Sequence, residues 1–303
     1  MIPNSIRNPK SEILVVKPQI LVHLDTDALP SAFDRVVAVD AGVEQIFSYG
    51  GVTPANVMAL VHGCIFTRGP DDLKNTAIFI GGSDVAAGET LLAAVQSHFV
   101  KDYGLTVSIL LDSNGSNTTA AAAVLAASRH LELKSTKSLI LGGTGPVGQR
   151  CARLLAEEGG HVRIGSRTKD RAEAVCAAIR AQVPKANVEA VATATGNDGP
   201  AALEGRDLVI AAGAPGIVLL PKKYRVACRT LKVAIDLNGV PPEGIEGVGL
   251  GDKAKNRDDM HCYGALGIGG TKMKVHKAAI AELFLRNDAV LDATTIYAIA
   301  KAL

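Results

Sequence analysis

The sequence contains no tryptophan, and only 4% of its 303 residues are aromatic. It also has no dense block of Lys or Arg, and its formal net charge is only +2. A nucleic acid or an anionic membrane would need a concentrated basic surface, so we expect neither as a partner. No apolar run is long enough to span a bilayer, and residues 1–18 lack the apolar stretch of a secretory signal. We therefore expect a cytoplasmic protein.

Cysteine is scarce and shows no pairing pattern. The five cysteines are scattered and include no CxxC pair, which favours free thiols in a reducing compartment over disulfides or a zinc site. The seven histidines show no metal-like grouping either, so we predict no bound metal. The cysteines, which we expect to be small apolar core residues, are Cys64, Cys151, Cys176, Cys228 and Cys262.

Hydrophobic residues make up 48% of the chain and occur in short runs that alternate with longer Ala-rich segments. This alternation predicts strands joined by crossover helices, and the length suits two such α/β domains. The predicted strands are 19–25, 77–81, 106–112, 138–142, 161–165, 188–192, 208–212 and 233–237. The predicted helices are 31–40, 53–62, 84–98, 118–131, 146–158, 169–182, 272–285 and 293–303. Residues 132–137 are a predicted linker, and residues 264–270 are a predicted Gly-rich loop.

A GxGxxG motif lies between a predicted strand and a predicted helix. Gly143 permits a tight turn, Gly145 lets a pyrophosphate approach the backbone, and Gly148 lets the helix pack closely on the sheet. The free N–H groups at the start of the helix would face the phosphates. Because another strand follows that helix, we predict a Rossmann dinucleotide site. The residues of this turn assigned to the cofactor are Gly143, Thr144, Gly145, Pro146, Val147 and Gly148.

The end of the next strand indicates which dinucleotide binds. NAD-binding folds place Asp or Glu there, whereas this chain has Ser166, Arg167 and Lys169. No carboxylate would repel a 2′-phosphate, Ser166 can donate a hydrogen bond, and Arg167 can pair with the phosphate. We therefore predict NADP and leave the use of NAD open. The small residues predicted to leave room for the nicotinamide ring are Ala212, Gly213 and Ala214.

Six segments together resemble the NADP-dependent methylene-tetrahydromethanopterin and methylene-tetrahydrofolate dehydrogenases of methylotrophic and related bacteria. They extend over the chain from about residue 20 onward and are rare combinations. The segments are DTDALPSAFD (25–34), TAIFIGG (76–82), AAGE (86–89), LDSNGSNTTAA (111–121), GGTGPVG (142–148) and GALGIGG (264–270). The chain departs from this family in its longer N-terminus, residues 1–17.

The resemblance implies two α/β domains with the active site in the cleft between them. It places the pterin domain at residues 18–132, joined by a C-terminal helix at about 287–303, and the Rossmann domain at 133–286. The implied reaction is the reversible oxidation of a methylene-pterin to the methenyl-pterin cation, in one-carbon metabolism. The resemblance also implies a homo-oligomer and an active-site lysine at Lys272.

This reaction needs no general base. The one-carbon unit lies between two nitrogens, and a nitrogen lone pair can expel hydride directly to the nicotinamide. The protein mainly has to align the two rings and exclude water, so the absence of a Ser-His-Asp or metal cluster is consistent with the reaction. Lys272 would lie beside a developing cation, so we predict that it orients the pterin.

Polar residues after predicted strands are the candidates for pterin binding, because open α/β sheets bind ligands at the carboxyl ends of strands. Asp25, Thr26 and Asp27 could accept hydrogen bonds from the pterin, and Phe33 could either supply an apolar face or simply pack in the core. These loops also suit ordinary turns and helix caps, and that alternative stays open. The candidates in the second loop are Asp112, Asn114, Ser116 and Asn117.

Two further features are assigned structural roles. Tyr297 and Lys301 have the YxxxK spacing of short-chain dehydrogenases, but they lie at the C-terminus, where we predict an i,i+4 pair on a helix. His276 is close to Lys272 and is predicted to be structural. Lys274 would point away from Lys272 on the same helix.

Three alternative functions stay open. Tetrahydrofolate carries the same reacting centre as tetrahydromethanopterin, although we favour the latter. A Rossmann reductase of another small substrate, such as a shikimate-like acid, should show a Lys/Asp proton-transfer pair in its first domain, and none is convincing here. A non-catalytic NADP sensor would bind the dinucleotide without turnover.

Overall fold

The computed structural model describes residues 17–194 and 198–303 and contains two α/β domains, each built on one sheet. The first sheet consists of β1 (Ile20–Asp25), β2 (Gln45–Tyr49), β3 (Thr76–Gly81), β4 (Ser108–Leu111) and β12 (Val290–Leu291), numbered in chain order. Its strand order is β12-β4-β3-β1-β2, and all neighbouring strands are parallel. The helices that follow the first four strands are α1 (Ala32–Asp40), α2 (Met58–Ile65), α3 (Val85–Ser97) and α4 (Ser116–Ser128).

The second sheet has the strand order of a dinucleotide-binding fold. Its strands are β5 (Lys137–Leu141), β6 (His161–Ser166), β7 (Asn187–Ala192), β8 (Leu208–Ala211), β9 (Val233–Asp236), β10 (Lys255–Arg257) and β11 (Met260–Tyr263). Its helices are α5 (Pro146–Glu157), α6 (Lys169–Gln182), α7 (Asp198–Leu203), α8 (Lys222–Ala227) and α9 (Ala265–Glu282). The order β10-β11-β9-β8-β5-β6-β7 contains the 3-2-1-4-5-6 arrangement, and β10 pairs antiparallel with β11. The predicted Rossmann fold is confirmed.

Helix α4 lies at the centre of the molecule. Ten of its thirteen residues are buried, most of them alanines, and it packs against α5 and α9. A helix that is apolar and uncharged on all sides is stable only when it is surrounded by protein. One continuous apolar core therefore includes residues of both domains.

The C-terminal segment returns to the first sheet. Strand β12 pairs with β4, and the last helix, α10 (Ala293–Lys301), packs against α4, α5 and α9. Asp292 caps α10 in a capping box. Its carboxylate also forms an ion pair with Arg153 of α5, with an N···O distance of 3.0 Å. The end of the chain thus ties the two domains together.

Two sequence predictions about the elements were wrong, and one strand was missed. Helix α2 begins at Met58 and not at residue 53, because Thr53 and Asn56 instead form a turn in which the Asn56 side chain accepts from the Thr53 N–H at 2.8 Å. Strand β2 was not predicted. Residues 265–270, predicted as a loop, form the first turns of α9. A Cβ atom on Gly267 would lie 1.8 Å from the carbonyl oxygen of Asp252, so this glycine lets the helix pack on the preceding loop.

Smaller differences concern boundaries and short elements. Helix α4 spans Ser116–Ser128 and not 118–131, and the short elements α7, α8, β10, β11 and β12 were not predicted. All five cysteines are free and four are buried, as predicted. In the part of the chain that the structure describes, no helix is both long and apolar enough to cross a membrane. The N-terminal extension 1–17 lies outside the described residues except for Lys17.

Candidate active site

The tight bend of the glycine turn between β5 and α5 lies at Gly142, one residue before Gly143, for which the sequence predicted it. Gly142 has φ +67°, and a Cβ atom there would lie 2.4 Å from Cα of Gly213. A Cβ atom on Gly148 would lie 2.7 Å from the carbonyl oxygen of Gly142. At Gly145, however, a Cβ atom would come no closer than 3.4 Å to the rest of the protein. The fold therefore requires Gly142 and Gly148, whereas a Cβ atom at Gly145 would make only van der Waals contacts of ordinary length.

A cavity of about 530 Å³ lies above this turn, at the carboxyl ends of the second sheet. Its volume is in the range of small-molecule sites, about 300–1,000 Å³. The predicted cofactor residues that line it are Thr144, Gly145, Pro146, Ser166, Arg167, Ala212, Gly213 and Ala214. The residues that sequence reasoning missed are Gly142, Arg171, Thr193, Ala194, Ile217, Val218, Leu219 and Pro221.

Four predicted cofactor residues do not line this cavity. Gly143 and Gly148 lie beneath it, where a side chain on either would meet neighbouring atoms at 2.7 Å. Val147 packs against the apolar core, and Lys169 lines a separate depression beside Glu189. Direct contact of these four residues with a dinucleotide stays a prediction.

The residues present fit a phosphorylated dinucleotide. The part of the cavity that Gly145 and the start of α5 line can receive a pyrophosphate. Ser166, Arg167 and Arg171 lie together at one end of the cavity, and none of the described residues that line it carries a carboxylate. Arg171 follows Arg167 by four residues, and this spacing was the signal in the sequence that could have revealed it.

A second cavity, of about 340 Å³, lies at the carboxyl ends of the first sheet. Five of the predicted substrate-site residues line it, together with residues that were not predicted, including Leu29 and Asp34. The predicted residues that line it are Asp25, Asp27, Phe33, Asn114 and Lys272. The four that do not are Thr26, Asp112, Ser116 and Asn117.

Asp25 and Asp27 shape the wall of this cavity. Asp25 is 1% exposed and accepts hydrogen bonds from the backbone N–H groups of Asp27 at 2.8 Å and Ser31 at 2.9 Å. Asp27 accepts from the N–H of Ser83 at 3.0 Å and from its hydroxyl at 2.9 Å. Thr26 donates to the carbonyl of Gly81 at 3.4 Å. These bonds join the loop after β1 to the loop after β3.

Asp112 and its neighbours form the cap of α4. Asp112 is buried and accepts from the N–H groups of Asn117 at 2.9 Å and Thr118 at 3.1 Å. Burial raises the pKa of the Asp112 carboxyl, while Lys272 opposes the rise. The Ser116 hydroxyl donates to the carbonyl of Ser113 at 2.8 Å. These contacts correspond to the capping alternative, and a substrate contact from Asp112, Ser116 or Asn117 stays a prediction.

Lys272 of α9 lies above the aromatic ring of Phe33, with Nζ 4.9 Å from the ring centroid. A Cβ atom on Gly115 would be 3.0 Å from the same Nζ, and Gly115 has φ +56°. Gly115 therefore allows the ammonium group to approach the backbone closely. Burial raises the pKa of the Asp34 carboxyl, which lines the same cavity, and the Lys272 ammonium opposes the rise.

His276 lies one turn beyond Lys272 and is fully buried. In the described part of the chain, neither of its ring nitrogens has a hydrogen-bond partner. Its ring centroid lies 5.8 Å from that of Phe79 and 6.4 Å from that of Phe33. Burial lowers the pKa of His276 to about 4, and the nearby ammonium of Lys272 adds to the decrease. The imidazole is therefore neutral at physiological pH.

A third depression borders both cavities. This depression, of about 580 Å³ between α3 and α5, shares Ser83 with the second cavity. It shares Thr144 and Pro146 with the cavity above the glycine turn. A ligand in either cavity can therefore extend toward the other. In contrast, Lys301 lies over the Tyr297 ring and pairs with Glu158, and neither residue of this helical pair lines any of these three cavities.

Comparison with known proteins identifies the family. The model of "Methylene-tetrahydromethanopterin dehydrogenase, N-terminal" matches residues 32–114. The "Bifunctional protein MdtA" of Methylorubrum extorquens is 44% identical over 285 residues, which cover 93% of this chain and 98% of that protein. This chain belongs to the methylene-tetrahydromethanopterin dehydrogenase family. The family predicted from the six segments is thus confirmed.

Three further likenesses were found for this family member. The "NAD(P)-dependent methylenetetrahydromethanopterin dehydrogenase" of the same organism is 32% identical over 225 residues, covering 72% of this chain and 75% of that one. A second family model, "NADP oxidoreductase coenzyme F420-dependent", matches residues 138–212 around the glycine turn. A ligand-free 5-ketofructose reductase of Gluconobacter has the same fold. It covers 94% of this chain and 99% of its own, with a TM-score of 0.52 and 18% identity.

Proposed function

We propose that this protein oxidises methylene-tetrahydromethanopterin reversibly to methenyl-tetrahydromethanopterin and transfers the hydride to a nicotinamide dinucleotide. The observation that carries the proposal is that, in a chain of this family, a cavity above the glycine turn and a second cavity both border the same depression between α3 and α5. Cofactor and substrate would lie side by side there, as direct hydride transfer requires.

The second cavity suits a fused pterin ring. Leu29 and Phe33, which are 86% and 52% exposed, offer apolar contacts that a planar ring would cover. Asp27 and Asn114 lie on its wall and can bind polar groups of the ring. The other predicted substrate residues make hydrogen bonds that fix the loops after β1 and β4, and we assign to them the role of maintaining the shape of this cavity. They are Asp25, Thr26, Asp112, Ser116 and Asn117.

The chain's task in the reaction is alignment and exclusion of water. When bound, the nicotinamide ring supplies the acceptor for the hydride. Lys272 is held between Gly115 and the face of Phe33, where it can fix the orientation of a pterin. The product is a cation, and Asp27 contributes a carboxylate to the same cavity that offsets the lysine's charge. Hydride leaves without loss of a proton, so no residue is assigned as a general base.

We propose that the dinucleotide is NADP. Arg167 and Arg171 are exposed at the cavity rim, where both can bind a 2′-phosphate beside Ser166. We assign Gly143, Val147 and Gly148 to shaping the turn and Lys169 to the outer surface of α6. The domain bounds 18–132 with 287–303, and 133–286, the cytoplasmic location and the homo-oligomeric state belong to the same proposal.

The test is a spectrophotometric assay that offers methylene-tetrahydromethanopterin and methylene-tetrahydrofolate, each with NADP and with NAD. We expect the highest kcat/KM with methylene-tetrahydromethanopterin and NADP. Faster turnover of the folate would assign the enzyme to that carrier instead. No reduction of either dinucleotide with either pterin would contradict the proposal and favour a reductase of another substrate or a dinucleotide sensor.

A further inference from the structure

Arg150 of α5 connects the two cavities through hydrogen bonds. Its side chain is only 11% exposed and donates to three groups, one in the first turn of its own helix and the other two on α3 and α4. Nη1 donates to the carbonyl oxygen of Pro146 at 3.1 Å, and Nη2 donates to the carboxylate of Glu89 on α3 at 2.9 Å. Nε donates to the side-chain oxygen of Asn117 at the start of α4. One guanidinium group therefore binds elements of both domains.

The first partner, Pro146, is the first residue of α5, four positions before Arg150, and it lines the dinucleotide cavity directly after the glycine turn. Beside it, the Gln149 side chain donates to the carbonyl of Thr144 in the turn itself at 2.7 Å. Gln149 thus holds a carbonyl oxygen of the turn, and Arg150 holds one in the first helical turn that follows. A pyrophosphate that bound at this turn would restrict the same segment of backbone.

The second partner, Asn117, is the second residue of α4 and directly follows the loop that lines the second cavity, in which we propose the pterin binds. Its amide donates to the carbonyl of Leu111 at 2.5 Å, and its N–H donates to Asp112. Asn114 and Gly115, which precede it, line the cavity beside Lys272. A pterin that bound there would restrict the loop to which Asn117 is attached.

We propose that Arg150 is a positioning residue that couples the two sites, so that each ligand strengthens the binding of the other. The inference rests on the proposed function. A guanidinium is a rigid planar fork, and one partner cannot shift without disturbing the other two bonds. The ligand that binds first orders the shared residue, and the second ligand then loses less conformational freedom on binding.

The test measures binding and not turnover. Tetrahydromethanopterin lacks the one-carbon bridge, so it cannot donate hydride to NADP+, and both ligands can be titrated at equilibrium under anaerobic conditions. Calorimetry gives the Kd of NADP+ with and without saturating tetrahydromethanopterin. We expect the pterin to lower this Kd in the wild type by about fivefold or more, at the lower end of usual coupling between sites.

Arg150→Lys keeps the positive charge but cannot bind all three partners, so we expect the ratio of the two Kd values to fall to about two or less. Arg153→Lys is the matched control on the same helix. Arg153 binds Glu157 and Asp292, which lie outside the two loops, so the ratio should stay at the wild-type value. Glu89→Gln, at a carboxylate that is 59% exposed, offers a second variant whose folding should not be affected and whose ratio should fall in part.

The outcomes separate the possible roles. Weaker binding of NADP+ or a lower Tm in Arg150→Lys with an unchanged ratio would show a purely structural residue and overturn the inference. A wild-type ratio of one would overturn it as well. Binding of NADP+ without any binding of tetrahydromethanopterin would instead contradict the proposed function, and the inference would fall with it.

Discussion

At the scale of single residues, Gly145 and Gly148 belong to the same glycine motif but have different roles. We assign Gly145 to the binding of the ligand and Gly148 to the packing of the fold. Gly145→Ala should leave the free energy of unfolding within about 0.5 kcal/mol of the wild type, because its Cβ has space in the protein. The added methyl group would occupy the path of the pyrophosphate, so the Kd of NADP should rise by roughly tenfold or more. Calorimetry and urea denaturation measure the two effects.

The matched variant Gly148→Ala should show the opposite pattern. Its Cβ would lie 2.7 Å from the backbone oxygen of Gly142, so we expect a loss of about 1–3 kcal/mol in the free energy of unfolding. Equal destabilisation by both variants would contradict the assignment of Gly145 to the ligand.

Arg167 and Arg171 decide the preference for NADP if both bind the 2′-phosphate. Replacing either by Ala should raise the Kd of NADP by roughly tenfold to hundredfold, since a charge-assisted hydrogen bond contributes about 1.5–3 kcal/mol. The Kd of NAD should not change, because NAD has no 2′-phosphate. Lys169→Ala is the control, and its effect should be within about twofold, because Lys169 does not line the cavity. A selective loss of NADP binding in Lys169→Ala would reverse this assignment.

Lys272→Ala should lower kcat while the Kd of NADP stays near its wild-type value. Loss of the group that orients a substrate costs on the order of 10²-fold in rate. Lys274→Ala is the control on the same helix, where the side chain is exposed and lines neither cavity. Steady-state kinetics and a separate titration of NADP measure both quantities, and an unchanged kcat in Lys272→Ala would remove Lys272 from the site.

At the scale of elements, α9 shows how packing overrides local preference. Gly267→Ala should lower the free energy of unfolding by about 1–3 kcal/mol or more, because its Cβ would meet the Asp252 carbonyl at 1.8 Å. Gly270→Ala, on the exposed side of the same helix and with no neighbour within 4 Å of its Cβ, should raise it by about 0.5–1 kcal/mol. Urea denaturation measures the free energy of unfolding of the two variants. A decrease in Gly270→Ala would contradict the conclusion that a Cβ atom at position 270 has free space around it.

Elements whose pattern is local were predictable, and elements that depend on distant partners were not. Strands β1, β3 and β5 are buried apolar runs, and their sequences indicate them directly. Strand β2 alternates between exposed and half-buried residues at the edge of the sheet, so its apolar signal is weak. The two-residue strand β12 exists only because it pairs with β4, which lies about 180 residues earlier in the chain.

At the scale of the whole molecule, buried imidazoles make stability depend on pH. The pKa of His276 is about 4 in the folded chain against 6.5 when exposed, because burial disfavours the charged form. Below pH 6.5 the unfolded chain therefore binds more protons, and stability falls as the pH drops toward 4. His23, which is also buried and has its pKa lowered to about 4, has the same effect.

His276→Leu tests this dependence. Neither ring nitrogen of His276 has a hydrogen-bond partner among the described residues. Replacing the imidazole by leucine therefore breaks no hydrogen bond among them. We compare the free energy of unfolding of the variant with that of the wild type at two pH values. At ~pH 5 this comparison should favour the variant by about 2 kcal/mol more than it does near pH 7.5. Denaturation curves at both pH values give this difference. A difference that does not change with pH would mean that His276 does not titrate in this range.

The sequence by itself determined the α/β class, the Rossmann half, the glycine turn and the family. These features follow from hydrophobic periodicity and from residue spacings of a few positions, which are readable along the chain. The tertiary structure alone decided that α9 begins at Ala265, that Asp34 and Arg171 line the two cavities, and that Arg150 reaches both loops. Each of these depends on contacts between segments that are far apart in the chain, where burial and close packing outweigh local preference.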